Sequence, residues 1–425
     1  MSHLMKSRTI SHSRNNTVDT IRGVAMLMVV LGHTISGSAS GYEDTFIFSV
    51  IWSLQMPLFF IISGYVTRYS RQIDTGKDLW RFVKKRTLAY LLPWVVWTFV
   101  VRGFIFGQEA FLDLKYLFWH MDSGYWFLVT LWCIVVIYGI SDYLSNKITK
   151  QNKIINILPH LACVAGGACV LAGVGYFAGM SFLDIKLTLY YIPLYSCGYL
   201  YGQLQDTILA EHRATSLIDV ITALSLAVWL WLLVRVNFYG VDMTIGLLTM
   251  RYLASLCGSI FIIHILSAIC KLGGGTCCSR KILVGDLCNT LSVSKPALNR
   301  ADTGANDNDG CAQSYSKLYD DTCADGNNDN RTEARQAPLK STVLQESRAW
   351  IPLSFLKWCG VNSLAIYLIH GFFLNLIAKG DYSDAFSIFE IPICGLNYVV
   401  CVALTCSCII LLNKNTLLSK LLFWK

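Results

Sequence analysis

Charge is scarce in this chain. Only 15% of its 425 residues are Asp, Glu, Lys or Arg, 54% are hydrophobic, and mean hydropathy is +0.48. A soluble protein of this length rarely shows that balance. No P-loop, GxSxG elbow, dinucleotide fingerprint or internal repeat occurs, so the common nucleotide-binding, serine-hydrolase and solenoid readings lose their sequence signatures. The 16 cysteines form no C-x2-C pair, and Cys277, Cys278, Cys288, Cys311 and Cys323 have no histidine among them. No metal site is therefore expected. The other eleven lie in or beside apolar runs, where cysteine acts as a small hydrophobe.

Apolar runs fill the space that charge leaves. A bilayer span needs about 20 apolar residues, and ten such runs lie near 18–36, 46–67, 87–106, 125–141, 156–178, 187–203, 215–235, 248–270, 355–378 and 391–412. The expectation is an all-α polytopic membrane protein. The first run contains Arg22 and His33 and has no convincing small-residue cleavage site, so it reads as a retained helix and not a signal peptide.

Loop charge gives the orientation. Lys6, Arg8 and Arg14 in the leader, seven Lys and Arg residues in 68–86, Lys147, Lys150 and Lys153, and Lys414, Lys420 and Lys425 fall on one side; Glu43, Asp44, Glu109, Asp113, Asp381 and Asp384 fall on the other. The positive-inside rule then places both termini in the cytoplasm. The net charge of +8 reflects this topology, and no nucleic-acid partner is inferred from it. The expected organisation is a tail over 1–17, eight spans over 18–270, a polar and disordered insertion over 271–350, two spans over 351–412 and a tail over 413–425. The insertion is rich in Asp, Asn, Gly and Ser and cannot bury a core. Sequons at Asn15 and Asn330 would be cytoplasmic and unglycosylated. No appended soluble catalytic domain is expected after the last span.

The first run carries the chemistry. Arg22 and His33 are eleven positions apart, close to three helical turns, so both fall on one face with a rise of roughly 16 Å between them. Ionisable groups inside a bilayer cost about 2.5–3.5 kcal/mol each on insertion scales, which makes them functional candidates. In the predicted orientation Arg22 lies at the cytoplasmic end and His33 in the outer half. The cluster Lys84-Lys85-Arg86, expected just before the third span, shares the level of Arg22 and offers phosphate-binding cations. His370 lies about as deep in its run as His33 does, though alone it reads as a packing histidine. His160 and His264 read as structural.

Several of these stretches resemble one family when taken in order. Arg22-x10-His33, Met56-Pro57-Leu-Phe-Phe-Ile-Ile-Ser63-Gly64-Tyr65, the basic stretch into Tyr90-Leu-Leu-Pro93-Trp94, Tyr125-Trp126-Phe127-Leu128, Tyr190-Tyr-Ile-Pro193 and Asn362-Ser363-Leu-Ala-Ile-Tyr367-Leu-Ile-His370 together resemble the acyltransferase 3 family. The likeness covers about residues 15–270 and 355–412. It implies an integral-membrane O-acyltransferase that acylates surface carbohydrates, with acetyl-CoA or another acyl-CoA as co-substrate. Catalysis is then expected from His33 and Arg22, donor binding from Arg22, Lys84, Lys85 and Arg86, and a pocket from Gln55, Ser63, Tyr65, Trp126 and His370. Gln55 departs from the pattern, since many members have histidine there. A bacterial inner membrane is the expected location, ahead of a eukaryotic endomembrane. A transporter with an Arg/His path, and a catalytically silent scaffold, are the competing classes.

Overall fold

A computed structural model describes residues 15–38, 42, 45–70, 72–120, 125–148, 156–208, 214–236, 238, 244–273, 351–377 and 390–423. Residues 274–350 of the expected insertion and the acidic loop residues 43–44 lie outside them, whereas 271–273 continue a helix. The described residues are helices joined by turns, and the chain is an all-α polytopic membrane protein.

The first two helices, α1 (Asn16–Ser38) and α2 (Phe46–Val66), are the most deeply buried of the candidate spans. Asn15 caps α1, its Oδ1 accepting from the backbone N–H groups of Thr17 and Val18 at 3.0 and 3.3 Å. Thr45 caps α2 by accepting from Phe48 at 3.2 Å. Such caps satisfy donors that a helix start leaves open. Although Pro57 removes one donor, α2 continues through it.

The third helix corrects an expectation. It begins at Gly76, capped by Thr75, so α3 (Gly76–Val95) contains the cluster Lys84-Lys85-Arg86, which was expected to precede it. Hydropathy marks where a helix becomes apolar, whereas the cap marks where it starts. A π-helical segment, Val96–Ile105, extends α3. Then follow α4 (Leu114–Trp119), α5 (Trp126–Ile148), α6 (Ile157–Ala178), α7 (Ile185–Ile208), α8 (Ala214–Arg235) and α9 (Ile245–Gly273).

After the insertion come α10 (Ile351–Val361), α11 (Ser363–Ile369), α12 (Glu390–Asn413) and α13 (Thr416–Phe423). The run 355–378 is not one straight span. Pro352–Val361 and Ser363–Phe372 meet at a 75° bend around Asn362, whose Nδ2 and backbone N–H both donate to the Trp358 carbonyl, at 2.9 and 3.0 Å.

Among the described residues, eight helices are long and apolar enough to cross a membrane, nine if the bent pair counts as one span. The remaining expected run, 187–203, lies on α7, which tyrosines and other polar side chains hold below that hydropathy. α7 packs closely on α2, and α10 on α1, because glycines let the backbones meet. A β-carbon on Gly64 or Gly198 would collide with the Tyr195 or Ile61 carbonyl, and one on Gly23 or Gly360 with the Leu356 or Asp19 carbonyl. Small residues do this work between membrane helices, where lipid is as apolar as leucine. α6 lies at the other extreme, with only His160, Val164 and Gly175 buried along its length and Phe177 88% exposed, a face suited to lipid.

Candidate active site

His33 projects from the far half of α1, where Gly32 and Thr34 on either side are buried and His33 itself is exposed. One side of its ring meets His370, at 5.4 Å between centroids and 32° between planes. The two histidines, assigned to similar depths on different helices, thus form one pair.

His370 is only 5% exposed and stands where α11 tightens into a 3-10 turn, His370–Phe372. Its Nδ1 lies 2.9 Å from the Ile366 carbonyl oxygen. A carbonyl can only accept, so Nδ1 carries the hydrogen and, in the neutral ring, Nε2 keeps a lone pair. The Cys401 thiol approaches the His370 carbonyl at 3.5 Å, adding a contact from α12. The bend at Asn362 is what turns α11 toward α1.

Tyr367, 5% exposed, packs its ring 6.2 Å from His370 and 5.9 Å from Tyr125. The Tyr125 hydroxyl donates to the Leu368 carbonyl at 3.0 Å. The Tyr367 hydroxyl accepts from the Phe127 backbone at 3.4 Å. These two bonds join the start of α5 to α11. Arg102, in the π-helical segment, holds its guanidinium 5.0 Å from the Tyr125 ring and 5.1 Å from that of Phe111. A β-carbon on Gly371 would lie 3.8 Å from one of its terminal nitrogens. Histidine, tyrosine and arginine side chains from α1, the end of α3, α5 and α11 therefore make one contiguous cluster.

Trp97 backs this cluster from behind. Its ring is 6.5 Å from Tyr125 and 5.9 Å from Phe372, and its Nε1–H donates to the Leu422 carbonyl of α13 at 3.0 Å. Phe423, 2% exposed, stacks on it at 6.1 Å. The short last helix thus braces the wall behind the histidines.

Of the expected pocket residues, Gln55 is 6% exposed on α2, with Oε1 against Gly32, the neighbour of His33. That oxygen has no hydrogen-bond partner among the described residues. Ser63 and Tyr65 lie near the other end of α2, and Tyr65 donates to Gln205 Oε1 at 2.8 Å. Trp126 follows Tyr125 and stacks on Tyr191 at 5.8 Å. Arg22 is half-buried near the start of α1. Lys84 and Lys85 are exposed on α3, and Arg86 rests over the Phe82 ring at 5.3 Å. α1 packs mainly on α2, α9, α10, α11 and α12, and α3 on α5 and α13, so Arg22 and the 84–86 cluster are carried by helices that do not pack closely on each other.

Of the two histidines read as structural, His160 is buried and stacks on Tyr199 at 4.6 Å, and His264 Nε2 lies 3.2 Å from Asp219 Oδ1. Arg102, Tyr125 and Tyr367 are the residues that sequence reasoning passed over as site members. For Arg102 a signal was present: an arginine inside the run 87–106 meets the same rule that singled out Arg22.

Two nodulation proteins NolL, from Mesorhizobium japonicum and Sinorhizobium fredii, are each 25% identical to this chain over 202 residues, covering 45% of it and 49% and 50% of their own lengths. The chain thus spans about half the length of these curated relatives. No solved structure matches it. The acyltransferase 3 pattern, described as an acyltransferase domain, matches residues 15–272, which takes in α1 with His33, the π-helical segment with Arg102 and the start of α5 with Tyr125. That match covers more than half of the sequence, and the chain belongs to the acyltransferase 3 family.

Proposed function

We propose that this acyltransferase moves an acyl group, most simply acetyl, from cytosolic acyl-CoA to a hydroxyl of an extracytoplasmic glycan, working in a bacterial inner membrane. The observation that carries the reading is the His33–His370 pair, 5.4 Å apart with His370 Nδ1 tied to Ile366. Transfer from a thioester to a hydroxyl needs a base for the hydroxyl proton and a fixed reaction geometry. His33, open on one side, is the base; buried His370 positions it.

The donor enters from the basic end. Its phosphates meet Arg22 and Lys84, Lys85 and Arg86, since phosphate binding favours guanidinium and ammonium groups. Its thin arm then runs along the stripe from Arg22 to His33, a rise of about 16 Å. The hydroxyl oxygen attacks the thioester carbon as its proton passes to His33. When the carbon–sulfur bond breaks, the departing sulfur takes that proton back. The partners of the reaction are accordingly an acyl-CoA, a carbohydrate or glycolipid and the bilayer itself.

The test is transfer of label from acetyl-CoA into a glycan fraction by membranes carrying wild type, His33→Ala or Arg22→Ala at matched protein levels. His33→Ala should abolish transfer while donor binding persists, and Arg22→Ala should weaken donor binding. Normal transfer by His33→Ala, or no transfer by wild type across a panel of acyl donors and glycans, would overturn the reading and send the protein to transport assays.

A further inference from the structure

We propose that Arg102 is a further catalytic residue of this reaction, receiving the negative charge that develops on the donor's carbonyl oxygen; the inference rests on the acyltransferase reading above. Attack on a thioester moves the carbonyl π pair onto oxygen, and preorganised donors aimed at that oxygen are commonly the largest catalytic contribution. The cations assigned to the donor stand too far back to serve. Arg22 is about 16 Å from His33 along α1, and Arg86 is about 24 Å from Arg102 along α3 at helical rise. Arg102 is at the histidines.

The local structure puts it there. α3 widens out of α-helical register at Val96, and in the ten-residue π-helical segment the Phe106 N–H bonds to the Val101 carbonyl at 3.0 Å. π-helical turns occur frequently at functional sites. The Arg102 side chain is flanked by the rings of Tyr125 and Phe111, at 5.0 and 5.1 Å. An aromatic face orients a guanidinium without cancelling its charge.

Two neighbours fix its position against the base. Gly371 directly follows His370, and a terminal Arg102 nitrogen lies 3.8 Å from where its β-carbon would be, within contact distance of that turn. Tyr125 is itself fixed by its 3.0 Å bond to the Leu368 carbonyl. The positioning partner of the base and the cation thereby meet at one turn, His370–Phe372, and its supports.

The step balances. The hydroxyl oxygen bonds to the carbonyl carbon as His33 takes its proton; the π pair moves to the oxygen facing Arg102. Collapse restores the carbonyl, breaks the carbon–sulfur bond, and leaves its pair on sulfur, which accepts the proton from His33. Nothing is oxidised or reduced.

The experiment uses the full chain in membranes, with acetyl-CoA as donor and the glycan fraction labelled by wild type as acceptor. Arg102→Gln should lower kcat by about 10²–10³-fold with the KM for acetyl-CoA within about threefold of wild type. Arg102→Lys should recover about a tenth of the wild-type kcat, because it restores charge without the planar fork. An Arg102→Gln kcat within about threefold of wild type overturns the proposal, and so does an effect confined to donor KM. If Arg102→Gln fails to accumulate, Arg102→Lys decides: partial kcat at unchanged KM supports the role, and a raised KM or no transfer by folded protein overturns it. His33→Ala run in parallel separates the claims. An inactive His33→Ala beside a fully active Arg102→Gln defeats only Arg102, whereas an inactive wild type defeats the acyltransferase reading.

Discussion

The two ends of this bundle proposed for chemistry and for donor binding are built in opposite ways. At the histidine end, buried or ring-packed side chains from four separate stretches meet, and hydrogen bonds between Tyr125, Tyr367 and His370 and backbone groups fix them. At the basic end Lys84 and Lys85 are exposed neighbours on one helix, and Arg86 rests on Phe82. The first end depends on geometry and the second on charge. Geometry fails abruptly when one member is lost, and exposed charge fades gradually.

That contrast sets the order of expected effects. After His33 and Arg102 themselves, His370→Ala should cost the most: a kcat about 10²-fold below wild type, with the donor KM little changed, because a positioning partner of the base is removed. Steady-state label transfer checks it, and a purely KM effect would move His370 to the donor side of the comparison.

Gly32→Ala should come next. Its β-carbon would stand 2.8 Å from Gln55 Oε1 and 3.1 Å from Ile51 Cγ2, so the Gln55 side chain must swing aside and Ile51 must give way beside His33. Overpacking of this kind costs about 1–3 kcal/mol. A fall in kcat of about tenfold, with a lower melting temperature in detergent, is expected; rescue of both by Gln55→Ala would confirm the clash.

Replacing Lys84 and Lys85 together by Ala should be milder. The donor KM should rise about three- to tenfold at low salt, converge with wild type as ionic strength increases, and leave kcat unchanged. A salt-independent loss of kcat would erase the distinction between the two ends. Trp97→Phe should be the smallest change, about 1 kcal/mol of stability for the lost bond to Leu422, measured by denaturant or thermal unfolding.

Legibility in the sequence followed the same division. Span existence, the basic cluster and the Arg22–His33 stripe are local patterns, and hydropathy and 3.6-residue spacing display them. The break at Asn362, the start of α3 at Gly76 and the assembly of Arg102, Tyr125 and Tyr367 around His370 depend on caps, a bend and contacts between distant segments, to which helical periodicity is blind. His370 shows the boundary well. Its depth could be counted from the chain, yet its contact with His33 required the 75° turn that carries α11 across.

The long reach of that pairing has a consequence for how the protein is made. His33 and His370 are 337 positions apart, the same separation as Ser38 and Asn375, which bond at 2.7 Å one turn further on. During synthesis α1 enters the bilayer long before the ribosome reaches α11, so its ionisable stripe must wait in the membrane without its partner. The nascent protein is therefore both inactive and incompletely packed until its late helices arrive. Truncations within 274–350 should leave a fragment that inserts but is cleared by membrane quality control.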